Sequence, residues 1–95
     1  MAYMYILECS DKSFYTGSTI NLEKRLAQHQ MGEGANYTKT RRPVRLVYFE
    51  ECKNIADAFA IEQQIKGWGR KKKIALIHEN YEELPSLSLR KTVGS

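Results

Sequence analysis

The chain has 95 residues, 42% hydrophobic and 27% charged, with a formal net charge of +4. That length accommodates one domain with one modest core. No apolar run approaches the ~18 residues of a membrane span, the opening "MAYMYILEC" lacks the basic start of a signal peptide, and two distant cysteines, Cys9 and Cys52, argue for reduced thiols in a cytoplasmic protein rather than a disulfide framework or a zinc site.

In "YMYILEC" the residues alternate, with Tyr3, Tyr5, Leu7 and Cys9 facing one way and Met4, Ile6 and Glu8 the other. The aromatic and β-branched content predicts a strand. "SDK" is turn-like, and "SFYTG" predicts a second short strand closing a hairpin, with Gly17 at its end or at a close backbone approach. Asn21 is an N-cap for the helix "LEKRLAQHQ", and "GEGAN" breaks it. Pro43 precedes a third strand, "VRLVYFEEC". Asn54 caps the strongest helix, "NIADAFAIEQQIKGW", which Gly67 and Gly69 interrupt around Trp68. "RKKKIALIHENY" resumes helically. Pro85 opens a polar segment, 85–95, expected to be a disordered tail beyond a domain spanning 1–84. The order β-β-α-β-α-α predicts an α/β (α+β) domain, a small antiparallel or mixed sheet covered by helices.

Two helices carry polar residues where the periodicity calls for apolar ones. At roughly 100° per residue, with Leu22 at 0°, Leu26 falls at about 40°, Arg25 at about 300° and His29 at about 340°. All four share one core-facing arc, and Arg25 and His29 are i,i+4 neighbours. In the later helix Ile55, Ala58, Phe59, Ile61 and Ile65 define an apolar face. Glu62 falls inside it, where a carboxylate is costly unless paired or bound to a cation; Lys66 follows at i+4. Each of these placements also has a plain structural explanation, such as an Arg25–Glu62 pair, a satisfied core histidine, or Glu62 held by Lys66 alone. Three such groups of complementary chemistry on two helices packing on one small sheet set a shared site on an equal footing with those explanations. Tyr5 and Tyr15 lie on strands expected to be neighbours, in a register the sequence leaves open.

These five residues make up the parts of a one-metal phosphodiesterase. One carboxylate holds one Mg²⁺ that keeps most of its waters. Arg25 forks onto phosphate oxygens. A tyrosine hydroxyl or His29 orients or deprotonates water. A two-metal nuclease would need several carboxylates, and only Glu62 is suitably placed. Basic residues are segregated: "KTRRPVR" and "KGWGRKKK" hold nine of the 15 Lys and Arg residues and no acid, a distribution that suits a polyanion-binding face and equally two solvated loops.

The ordered set "YMY", "YTG" ten residues on, "NLEKRLAQH" and a later helical Glu62 resembles the GIY-YIG nuclease superfamily, over roughly Tyr3 to Ile77. It looks most like the small single-domain bacterial members. The resemblance implies a three-stranded antiparallel sheet flanked by helices and Mg²⁺- or Mn²⁺-dependent endonucleolytic cleavage of DNA. By position it places Tyr5 and Tyr15 around the attacking water, one of them as general base, Arg25 on phosphate, His29 assisting proton transfer and Glu62 on the metal. Lys39, Arg41, Arg42, Lys66, Arg70, Lys71, Lys72 and Lys73 then face the DNA backbone. Tyr37 and Trp68 are candidate stacking surfaces, or Trp68 packs in the core. With no base-reading motif, the expected substrate is DNA recognised by shape, such as branched, flapped or damaged DNA in repair or recombination, with a protein partner or homodimer adding specificity. The chain departs from the family pattern in Tyr3, which replaces a glycine, and Ser18, where some relatives have lysine. These departures motivate a second reading, a DNA-binding accessory module with a weakened nuclease site.

Overall fold

The alternating N-terminal segment becomes the centre of the sheet. In the computed structural model, which describes residues 1–82 and side chains through His78, the elements are β1 (Ala2–Glu8), β2 (Phe14–Thr19), α1 (Leu22–Gln30), α2 (Asn36–Lys39), β3 (Arg45–Cys52), α3 (Ile55–Lys66) and α4 (Arg70–Glu82). The expected domain end at 84 and the tail 85–95 lie outside the described residues. The strands form a three-stranded antiparallel sheet in the order β2-β1-β3. The expected element order holds, with one addition. The single-turn helix α2 falls in the stretch read as loop, too short to show any periodicity.

Because β1 is central, both of its faces are buried. Ala2, Met4 and Ile6 pack with Tyr48, Ala58, Ile65 and Ile77, on the side covered by α3 and α4. Tyr5, Leu7 and Cys9 pack with Val44, Leu22 and Leu26, on the side covered by α1. Burying each large aliphatic side chain contributes roughly 1.5–3 kcal/mol. Cys9 is a buried thiol and Cys52 a half-buried one. No helix among the described residues is long and apolar enough to cross a membrane.

Local chemistry sets the ends of the elements. The hairpin turn closes through Cys9 N–H on Ser13 O at 2.8 Å. Asn21 accepts from the Lys24 amide at 3.0 Å and Asn54 from the Asp57 amide at 2.8 Å, the two caps expected from sequence, each worth about 1 kcal/mol.

One expectation about α3 fails. Ile55 and Phe59 are 44% and 53% exposed, whereas Ala58, Glu62 and Ile65 are buried. The five apolar residues span an arc of roughly 160° at 100° per residue. The sheet covers only the part holding Ala58, Ile61, Glu62 and Ile65, so Ile55 and Phe59 fall over its rim. Glu62 sits nearer the centre of the buried stripe than either of them.

Candidate active site

Strand pairing settles the open register. Tyr5 lies opposite Gly17 and Leu7 opposite Tyr15. Tyr5 and Tyr15 therefore share the α1 face, with ring centroids 6.4 Å apart. The absence of a side chain at Gly17 makes room for Tyr5: a Cβ there would stand 2.6 Å from Tyr5 Oη and 2.7 Å from Cζ. Tyr5 is fully buried and its ring has nowhere to retreat. Gly17→Ala should therefore destabilise the fold by about 1–3 kcal/mol in chemical denaturation. A change under about 0.5 kcal/mol would mean that the tyrosine ring swings aside freely.

α1 supplies the next two groups, from the face its periodicity indicated. His29 is 1% exposed, and its Nε2 lies 2.9 Å from Tyr5 Oη. Its ring meets those of Tyr5 and Tyr15 edge-on, at 5.8 and 5.2 Å between centroids. Its Nδ1 lies 2.8 Å from Thr38 Oγ1 on α2. Arg25 is half-buried, with Nε donating to Gln28 Oε1 at 3.2 Å, and its guanidinium charge acts on the Tyr5 hydroxyl. Burial pushes the Tyr5 hydroxyl up to about 12, against the opposing pull of Arg25. Burial also pushes His29 below the ordinary histidine value, and the Arg25 charge adds to the effect.

Glu62 approaches from the other side of the sheet. α3 packs on the Met4 and Ile6 face, while α1 packs on the Tyr5 face. The two helices therefore do not bring their polar groups together across one face. Glu62 meets β2 at Ser18, whose Oγ donates to Glu62 Oε1 at 2.6 Å, and Lys66 Nζ pairs with Oε2 at 2.9 Å. That pairing holds Lys66 above its ordinary value. The Glu62 charge is felt at the Tyr5 hydroxyl, and Lys66 and Tyr15 also interact electrostatically. Tyr5, Tyr15, Arg25 and His29 thus lie on the α1 face of the sheet, and Glu62 lies on the opposite face, against Ser18 of the outer strand β2.

The residues expected to face DNA fare unevenly. Lys66 stands at the site. Lys71 and Lys72 are exposed, with Lys72 Nζ 4.4 Å from the Trp68 ring centroid. Trp68 itself packs against the core. Lys73 is half-buried and pushed below its ordinary value by burial, then by Lys66. Arg70 donates to Lys12 O at 2.8 Å and lies over Phe14. Lys39 is exposed. Arg41 pairs with Asp11 at 3.1 Å and donates to Tyr37 O at 2.9 Å. Arg42 donates to Lys39 O at 3.0 Å and to Gln30 O at 3.2 Å. Tyr37 is stacked on Tyr15 at 6.1 Å and carries the Arg41 guanidinium 3.9 Å from its centroid, so protein groups already engage its ring.

Sequence reasoning noted Ser18 only as a departure and missed Thr38 altogether. Nothing in the spacing of a threonine nine positions after a histidine signals a contact.

The GIY-YIG catalytic domain model matches residues 1–75. The chain is 51% identical over 83 residues to a UPF0213 protein of Syntrophus aciditrophicus, covering 86% of this chain and 95% of that one. It is 49% identical over 77 residues to a UPF0213 protein of Staphylococcus haemolyticus, covering 81% and 94%. The solution NMR structure of a UPF0213 protein from Bacillus halodurans is similar in fold, with a TM-score of 0.56 and 39% identity over 93% of this chain and 98% of that chain.

Proposed function

Because the chain belongs to the GIY-YIG catalytic domain family, we propose that it is a divalent-metal-dependent endonuclease hydrolysing DNA phosphodiester bonds. The supporting observation is the gathering of Tyr5, Tyr15, Arg25 and His29 beside the strand whose Ser18 holds Glu62. Glu62 suits a hard cation: it is a buried oxygen donor that already carries the Lys66 ammonium. Among the described residues no three His, Cys, Asp or Glu side chains come together, which favours one Mg²⁺ or Mn²⁺ completed by water over a two-metal cluster. Bound there, the ion supplies Lewis-acid stabilisation of the charge developing on the phosphate.

The remaining steps belong to the side chains. With its hydroxyl near 12, Tyr5 does not ionise at neutral pH. It serves as a base by passing its own proton to His29 Nε2 as it takes one from the attacking water. A water O–H bond breaks, the Tyr5 O–H bond is remade, and the proton comes to rest on the imidazole. Burial keeps His29 neutral and able to accept it. Arg25, beside the same hydroxyl, forks onto phosphate oxygens. Tyr15, half-buried next to Tyr5 and His29, orients the water.

The intended substrate is branched, flapped or damaged DNA read by shape in repair or recombination, in the cytoplasm, with a partner or second copy adding selectivity. Purified protein incubated with a panel of such DNAs should cleave them with Mg²⁺ or Mn²⁺ and stop on chelation. Cleavage that survives the chelator would remove the metal from the mechanism. No cleavage of any substrate would favour the second reading, an accessory DNA-binding module. One observation favours that alternative, since both Glu62 oxygens are engaged by Ser18 and Lys66.

A further inference from the structure

The Tyr5–His29 contact works as a proton path only if His29 Nε2 carries a lone pair and Nδ1 carries the hydrogen. Nothing in the two bonded groups enforces that choice, because a neutral imidazole has two tautomers. The cluster around them does. Thr38 is fully buried, and its Oγ1 lies 2.8 Å from His29 Nδ1 and donates to Ala35 O at 3.1 Å. A hydroxyl has one hydrogen. Once Thr38 gives it to Ala35 O, Oγ1 is left as an acceptor, and the hydrogen it accepts is the one on Nδ1. Nε2 then receives the Tyr5 hydroxyl hydrogen. Every hydrogen in this buried chain has an acceptor. The opposite tautomer sends the Thr38 hydrogen to Nδ1 and leaves the Tyr5 hydroxyl hydrogen to find another acceptor inside the core, a costly arrangement.

From this geometry we infer that Thr38 is a positioning residue that fixes the tautomer of His29, with the single turn of α2 serving to present it. The loop entering that turn is built for close approach, since a Cβ at Gly34 would overlap the His29 ring. Thr38 touches no substrate. It acts through His29, and the inference rests on the reading of His29 as the proton acceptor.

The test separates the tautomer from the activity. The chain has two histidines, His29 buried and His78 exposed, so long-range ¹⁵N–¹H NMR of labelled protein above pH 7 assigns both rings. Wild type should show His29 with a protonated Nδ1 and a bare Nε2. Thr38→Val, which keeps the shape and removes the hydroxyl, should shift His29 toward the Nε2–H form and slow cleavage at least about 10-fold. Thr38→Ser should restore both the Nδ1–H form and the rate. A wild-type His29 protonated on Nε2 overturns the inference, even if Thr38→Val fails to fold. So does a folded Thr38→Val that keeps the Nδ1–H form. If wild type cleaves nothing but shows the Nδ1–H form and Thr38→Val loses it, the nuclease reading fails while the positioning role stands.

Discussion

A Tyr5→Phe chain should cleave DNA about 10²- to 10⁴-fold more slowly than wild type, the usual range for removing a general acid–base group, while remaining folded at reduced stability. The ring and its burial are retained. Only the hydroxyl leaves. His29 Nε2 loses its partner at 2.9 Å, which costs about 1–3 kcal/mol as an unsatisfied buried acceptor. Single-turnover cleavage and a denaturation curve on the same preparation measure the two effects. Cleavage within a few-fold of wild type would mean that Tyr15 or another group is the base. The pH profile adds a second check. His29 accepts a proton only when neutral, and burial lowers its folded-state value below 6.5. The rate should stay flat through neutrality and fall on the acid side of the ordinary histidine value. Stability should follow the same direction. The unfolded chain binds the proton more readily, so the His29 contribution is complete above about pH 6.5 and is lost as pH falls through the folded value. An acid limb centred above 6.5 would contradict both statements.

The second large effect is expected at Glu62. Glu62→Gln should reduce cleavage by roughly 10²–10³-fold, comparable to losing a group that stabilises transition-state charge. Mg²⁺ or Mn²⁺ binding, followed by calorimetry, should weaken with it. The glutamine can still accept from Ser18 and fills the same space. The lost ion pair involves a lysine side chain 47% exposed, and pairs open to solvent on one side contribute at most about 1 kcal/mol. The variant should therefore melt close to wild type. Lys66, held above its ordinary value by Glu62, should titrate lower. Metal binding unchanged in Glu62→Gln would place the ion elsewhere and dissolve the proposed site.

Much of this arrangement was legible in the sequence because it rests on short-range rules. The asparagine caps, the alternation of β1 and the angular clash of Arg25 and His29 with the leucine stripe are all local, and each corresponds to an observed element or contact. What was not legible is long-range. That α1 and α3 cover opposite faces, so that Glu62 meets β2 at Ser18 rather than Arg25 across one face, depends on how the chain crosses the sheet, and periodicity carries no information about that. The over-wide apolar face of α3 has the same origin: Ile55 and Phe59 satisfy the pattern, but the small sheet ends before reaching them. Thr38 was invisible because a single helical turn has no period to detect. Composition records the charge of Arg41 and Arg42 but not their partners within the fold, which are backbone carbonyls and Asp11.

Those two arginines bear on ionic strength. Binding to a polyanion weakens with salt in proportion to the counterions displaced, and only cations that actually neutralise phosphates displace them, each adding roughly 0.9 to the logarithmic slope on duplex DNA. Arg42 joins the C-terminal ends of α1 and α2 through Gln30 O and Lys39 O, and Arg41 is held by Asp11 and Tyr37 O. Their charges act as rivets in the frame around the site. On the proposed DNA-binding reading, the salt slope is expected to come mainly from Lys39 and the exposed lysines of α4, and to fall below what a count of basic residues gives.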